Sequence, residues 1–238
     1  MDVRLFVILL CMFSLLSING CADVKEKAKS ELAKKNVAFD GVSFVQSVEL
    51  KDVETVKLFL KAGMDPNVKG ENGRTPLHAA ANFDYREIAE MLIAHGADVN
   101  ATNKRGTTPV LLASFGGYKE MMELLLSKGA DVNKKADDGT SPLFISTKRG
   151  DWEIVELLIK KGADVKIKRD IDGATLLHIA CSVPHCPLSI VKLLISSGVD
   201  VKTNNKAGQS PVTAAKSSGN KEIAEYLISI DKGRKDSK

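Results

Sequence analysis

From about residue 41 onward, apolar positions recur at helical spacing. Between Thr75 and Asn100, Ile88 and Leu92 stand four apart, as do Ala89 and Ile93, so one stripe of a helix faces inward. The stretch opens on Thr75-Pro76-Leu77-His78, in which Thr75 can cap a helix and Pro76 takes its first turn. It closes at Gly96, a residue able to end a helix in the left-handed region. Two short apolar-faced helices are expected in this stretch, and neither can bury its stripe alone.

The unit repeats. Its start recurs as Thr108-Pro109-Val110, Ser141-Pro142-Leu143, Thr175-Leu176-Leu177 and Ser210-Pro211-Val212, in steps of 33, 33, 34 and 35 residues. The second-helix pattern recurs from Glu87, Glu120, Glu153, Ser189 and Glu222. The closing turn Gly96 to Asn100 recurs as Gly129 to Asn133, Gly162 to Lys166 and Gly198 to Lys202. A degenerate copy stands one period earlier, with its second helix from Glu54 and its turn at Gly63 to Asn67. A fixed period of this length signals stacked supersecondary units that bury a continuous core between neighbours.

These residues resemble ankyrin repeats, whose 33-residue period and Thr-Pro-Leu-His start they carry. The resemblance covers residues 41–233. It implies an all-α fold: an ankyrin-repeat solenoid of about six stacked helix-turn-helix repeats with β-turn fingers. The repeats are expected at about 41–72, 73–105, 106–138, 139–172, 173–207 and 208–233, with a basic tail at 234–238. The first copy lacks Thr-Pro and the last has Asp231 in place of the turn glycine, as end caps require.

The N-terminus follows another pattern. Arg4 precedes an almost wholly apolar run, Leu5 to Leu16, followed by small residues Ser17, Gly20 and Ala22. Residues 1–20 read as a signal peptide, the run being too short to span a bilayer comfortably. Leu16 to Cys21 resembles a bacterial lipoprotein signal, with Ile18, Gly20 and Cys21 in place and Asn19 an unusual occupant. The resemblance implies lipidation of Cys21 and a cell-envelope location facing the periplasm or the exterior. Cleavage near Ala22 with release is the alternative. Residues 21–40 are expected as a linker. Within it Ala22 to Lys35, rich in Lys, Glu and Ala, reads as a solvated spacer helix with Glu31 and Lys35 spaced for an ion pair; a basic partner-binding arm is the sharper reading.

Composition narrows the function. An apolar content of 44% suffices for a core, and only 5% aromatics suits thin layers of Ala and Leu between helices. A net charge of +4 with interspersed acids does not support nucleic-acid binding. Four cysteines are present; Cys11 is expected to leave with the signal and Cys21 would carry lipid. Cys181 and Cys186 remain, in a segment that adds two residues to the turn between the helices of the fifth repeat. In an oxidising compartment they can form a local disulfide. Two alternatives stand beside it: Cys181 as a small buried residue, and a metal or redox site that adds His185 and His178, at a spacing unlike that of a zinc finger.

His78 and His178 occupy the Thr-Pro-Leu-His position, where the resemblance implies a structural imidazole bonded to neighbouring turns. No nucleophile triad, paired carboxylates, phosphate loop or dinucleotide motif stands at an exposed concave position, so no catalysis and no cofactor is expected.

The resemblance places partner binding on the fingers and the inner-helix ends. There the sequence has two aromatics at roughly equivalent positions, Phe83 and Phe115, amid Lys104, Arg105, Lys135, Lys148, Arg149 and Lys168. An aromatic anchor with a basic rim has the composition of an interface hot spot. Alternatively the two rings fold back over the inner helices. Tyr85, Tyr118 and Trp152 are expected between helix pairs. The reading is a monomeric protein-interaction scaffold tethered to a membrane through its lipid. A host-directed effector and a Cys181/Cys186 redox or metal protein are the alternatives.

Overall fold

The computed structural model describes residues 22–235. The expected signal peptide and Cys21 lie outside them. The helices are α1 (22–34), α2 (Gly41–Glu49), α3 (Val53–Lys61), α4 (Pro76–Asn82), α5 (Arg86–Ala94), α6 (Pro109–Gly116) and α7 (Lys119–Ser127). They continue as α8 (Pro142–Arg149), α9 (Trp152–Lys160), α10 (Leu176–Ser182), α11 (Leu188–Ser196), α12 (Pro211–Ser217) and α13 (Lys221–Lys235). Among the described residues there is no strand, only an isolated bridge between Lys168 and Thr175. No helix among them is long and apolar enough to cross a membrane. The chain divides into two compact units, residues 22–80 with Glu87–Asp98, and Ala81–Arg86 with residues 99–235.

The helix starts form as their chemistry dictates. Thr108, Ser141 and Ser210 each accept a hydrogen bond from the backbone N–H three residues on, and proline follows each cap. At Thr175 the cap is doubled. His178 Nδ1 accepts from the Thr175 N–H at 3.2 Å and lies 2.8 Å from its hydroxyl, while Nε2 donates to the Gln209 carbonyl 2.9 Å away. That pattern needs a neutral imidazole with its proton on Nε2. The ring ties one helix start to the following finger, and His78 meets Thr75 in the same way.

In the second unit the shorter helices α6, α8, α10 and α12 contact one another in series, and so do α7, α9, α11 and α13. Each pair is joined side to side, α6 with α7 through α12 with α13. Val110, Leu111, Leu143, Leu177 and Ile179 fill the layer of shorter helices; Met121, Met122, Leu125, Val155, Leu158, Val191 and Leu194 fill the layer between the rows. The last helix runs unbroken to Lys235, past Asp231, because no glycine stands there to take the left-handed turn.

Asparagines of the closing turns link one repeat to the next. Asn133 donates from Nδ2 to the Gly162 carbonyl at 3.1 Å and accepts from the Asp164 N–H at 2.8 Å. Asn100 does the same with Gly129 and Asp131, and Asn67, in the first unit, with Gly96 and Asp98. The series stops at Lys166, whose side chain cannot accept a hydrogen bond.

The first unit corrects the expectation of a solvated spacer. Ala28 and Leu32 of α1, four residues apart, are 4% and 1% exposed. Lys35 reaches the Thr55 hydroxyl near the start of α3, while Lys25 lies against Gly63 beyond its end, so α1 runs antiparallel along α3. The expected Glu31–Lys35 pair does not form, because Lys35 turns to Thr55 and Asp52. The spacer reading failed because two apolar residues are enough where Phe44 and Phe59 already fill the first repeat, their rings 4.8 Å apart. Phe39 stacks on Phe59 from the other side at 5.9 Å.

Candidate protein-interaction groove

Each finger is a tight turn closed by backbone bonds. In one, Asn103 donates to Thr107 and Gly106 back to Asn103; in the next, Ala136 donates to Thr140 and Gly139 to Ala136. Neighbouring fingers are joined where the Asp137 N–H meets the Arg105 carbonyl at 3.1 Å and the Lys206 N–H meets that of Asp172 at 2.9 Å. Gly106 sits at φ 67, and a β-carbon there would fall 2.3 Å from the Asp137 carboxylate, so the position accepts only glycine without rearrangement. The 34-residue step arises in a finger. The turn from Arg169 to Ala174 carries one more residue than that from Ala136 to Thr140, and Ile171 at its tip is 75% exposed.

A cavity of about 480 Å³ opens between these fingers and the ends of the shorter helices. Phe115, Phe144, Ile145 and Ile179 form its apolar walls, and Lys148, Arg149, Arg169, Asp138 and Thr140 its polar ones. Arg149 spans two repeats, donating to the Phe115 carbonyl at 2.9 Å and pairing with Asp151. Arg169 pairs with Asp172 in a two-pronged contact. That guanidinium, helped by the Ala174 N–H, holds the Asp172 carboxyl down to about 2. Asp138 is likewise held below the usual carboxylate range by its bonds from Thr140. Lys148 makes no ion pair or hydrogen bond among the described residues. A second cavity of about 190 Å³ adjoins the first, sharing Lys148, Arg169 and Ile179 and adding His178, Ser182, Asn205 and Gln209.

Of the expected binding residues, the structure brings Phe115, Lys148 and Arg149 to one cavity. Lys104, Arg105 and Lys168 stand exposed on fingers, and Lys135 is half-buried on one. Phe83 and Phe115 are 42% and 54% exposed, so neither folds back as core. Phe83 stacks instead on Tyr85, ring centres 5.6 Å apart. The two are not equivalent. Each helix ends at a left-handed residue, Asp84 or Gly117, which Phe83 precedes by one position and Phe115 by two; they therefore differ in phase by about 100°. Trp152, expected between helix pairs, is 39% exposed at the first position of α9. Arg169 went unnoticed in the sequence because its partner, three residues on, lies in the lengthened finger.

The enlarged turn of the fifth repeat is held by a residue the sequence did not mark. Asn220 donates to the carbonyls of Cys181 at 2.9 Å and Val183 at 2.7 Å, and accepts from the His185 N–H at 3.2 Å. Cys181 and Cys186 are unbridged and buried. Burial pushes the Cys181 thiol up to about 12, with Cys186 adding to it, and the Cys186 thiol up to about 11. Thiols so raised are poor nucleophiles and metal ligands at neutral pH. Among the described residues no three His, Cys, Asp or Glu side chains converge as a metal site would require.

The family model for ankyrin repeats (3 copies) matches residues 44–136 and 133–204, well over half of the chain. The chain belongs to the ankyrin repeat family. Ankyrin repeats generally mediate protein–protein interaction and are generally non-catalytic. Comparison with the curated proteins finds no match.

Proposed function

We propose that the protein is a non-catalytic scaffold that binds another protein through its fingers and shorter-helix ends, exported and held at a bacterial cell envelope by lipid on Cys21. The exposed Phe115 beside Lys148, unpaired among the described residues, in an apolar-walled cavity carries this reading. An exposed aromatic ring at the mouth of an apolar-walled cavity with a cation beside it has the composition of an interface anchor. The scaffold acts as a monomer, without cofactor or nucleic acid. Its helices are ordered before binding, so little conformational entropy is lost on association. The export reading rests on residues 1–21, where a short apolar run ends in Ile18-Asn19-Gly20-Cys21.

Crosslinked affinity capture from the native envelope, read by mass spectrometry, tests the binding. Wild type is expected to retain a discrete partner. The variant combining Phe115→Ala and Lys148→Glu is expected to lose it with an unchanged far-UV circular dichroism spectrum. Capture that survives these changes places the interface elsewhere. Separately, the mature protein is expected to partition into detergent and Cys21→Ala to remain aqueous; an aqueous wild type ends the lipid assignment.

A further inference from the structure

We infer that the trough formed by the two adjoining cavities takes a short extended segment of another protein, with an apolar side chain close to a carboxylate. The inference rests on the scaffold reading and names the chemistry of its ligand. The larger cavity offers apolar wall from Phe115, Phe144 and Ile179, and its volume of about 480 Å³ has room for a large aliphatic or aromatic side chain together with flanking main chain. Three cations border the trough against one carboxylate, that of Asp138. Arg149 and Arg169 are already committed to Asp151 and Asp172. Of the three, only Lys148 is unpaired among the described residues, and it borders both cavities. A carboxylate set there gains a charge-assisted bond without breaking an existing pair.

The smaller cavity is amide-lined. Asn205 donates to the Gln209 side-chain oxygen at 3.3 Å, and its own oxygen is taken by the N–H groups of Ala207 and Gln209. Gln209 borders the smaller cavity, and its side-chain N–H₂, which has no partner among the described residues, is a donor that a main-chain carbonyl can use. The cavities lie one repeat apart, and packed helices are spaced by about 8–10 Å. About three residues of extended chain cover that distance. An apolar side chain, a neighbouring acid and one or two further peptide groups therefore fill the trough, the mode in which side-chain pockets give specificity and main-chain bonds give affinity.

A library of random linear octapeptides displayed on phage, panned on the full chain, tests this. Selected peptides are synthesised and measured by fluorescence anisotropy against wild type, Lys148→Glu, Phe115→Ala, and Lys128→Glu on the exposed end of α7. Peptides enriched in an apolar residue within two positions of Asp or Glu are expected. Their affinity should fall at least tenfold with Lys148→Glu and with Phe115→Ala, and change less than twofold with Lys128→Glu. All three substituted sites are exposed, so folding is checked by circular dichroism alone. Enrichment of basic or wholly polar peptides, no enrichment, or binding indifferent to Lys148→Glu overturns the inference. Should that happen while the envelope partner is still captured, the scaffold reading stands and only the trough is misassigned. Loss of both removes both.

Discussion

Replacing Asn133 with alanine removes one rung of the asparagine series and nothing else. The side chain is exposed, so no cavity opens. Two hydrogen bonds disappear, those to the Gly162 carbonyl and from the Asp164 N–H, and both freed groups lie on exposed turns where water replaces the amide. Each such bond contributes about 0.5–1.5 kcal/mol net, and solvation of the freed groups puts the pair toward the lower half, a loss of about 1–2 kcal/mol. For a chain of this size that lowers the thermal midpoint by roughly 2–6 °C. Because stacked repeats need not unfold as one, the sharper readout is native-state hydrogen exchange of the Asp164 amide. Its protection should fall about tenfold, while that of Val110 and Leu111 in α6 is unchanged. The reverse experiment is Lys166→Asn, which supplies the missing rung toward the turn at Gly198 and Asp200. It should stabilise by up to about 1 kcal/mol. If Asn133→Ala leaves Asp164 exchange and the midpoint unmoved, the asparagine series does not couple the repeats and the reasoning fails.

Four further outcomes follow from the same structure. Leu32→Ala should cost about 2–4 kcal/mol by urea denaturation, as expected for a buried leucine, whereas a free spacer would show no change. Asp84→Gly should stabilise by about 0.5–1 kcal/mol, since Asp84 holds φ 55 where Gly117 and Gly150 serve in other repeats. Asn220→Ala should cost about 2–3 kcal/mol and leave two titratable thiols in denatured protein; a count of zero thiols in wild type would instead reveal a Cys181–Cys186 bridge. The folded Asp172 carboxyl titrates at about 2 against an ordinary 3.8, so its contribution is complete above the ordinary value and lost as pH falls through the folded one. With the pair about a third exposed, that contribution is about 1 kcal/mol after screening. It should vanish between pH 4 and pH 2 in wild type and be absent in Asp172→Asn.

What could be read along the chain was what local chemistry decides. Ser or Thr before Pro starts a helix through its own hydroxyl, and a glycine at positive φ ends one, so Thr108, Ser141 and Gly96 announced their roles. His178 was legible too, because its partner Thr175 is three residues away. Longer reach hid the rest. Asn100 and Asn133 recur visibly, but their partners stand 29 and 31 residues on, and nothing local marks an amide as a bridge. Leu32 gave no stripe, since its burial depends on α3. The misaligned aromatics have one cause: Asp84 does a glycine's work, which blurred the register of Phe83 against Phe115. Phe115, Lys148 and Arg149 were foreseen as surface, but the cavity joining them needs Arg169 from the next finger.

In the proposed function the trough between fingers and shorter helices grips another macromolecule. A photo-crosslinking amino acid placed at Phe115 in the full-length protein in its native cell, compared with the same probe at Lys128, tests it most directly. One discrete adduct with another polypeptide is expected from position 115, lost when Lys148→Glu is added, and none from position 128. Absence of any adduct at 115, or the same adducts from both positions, contradicts the proposal.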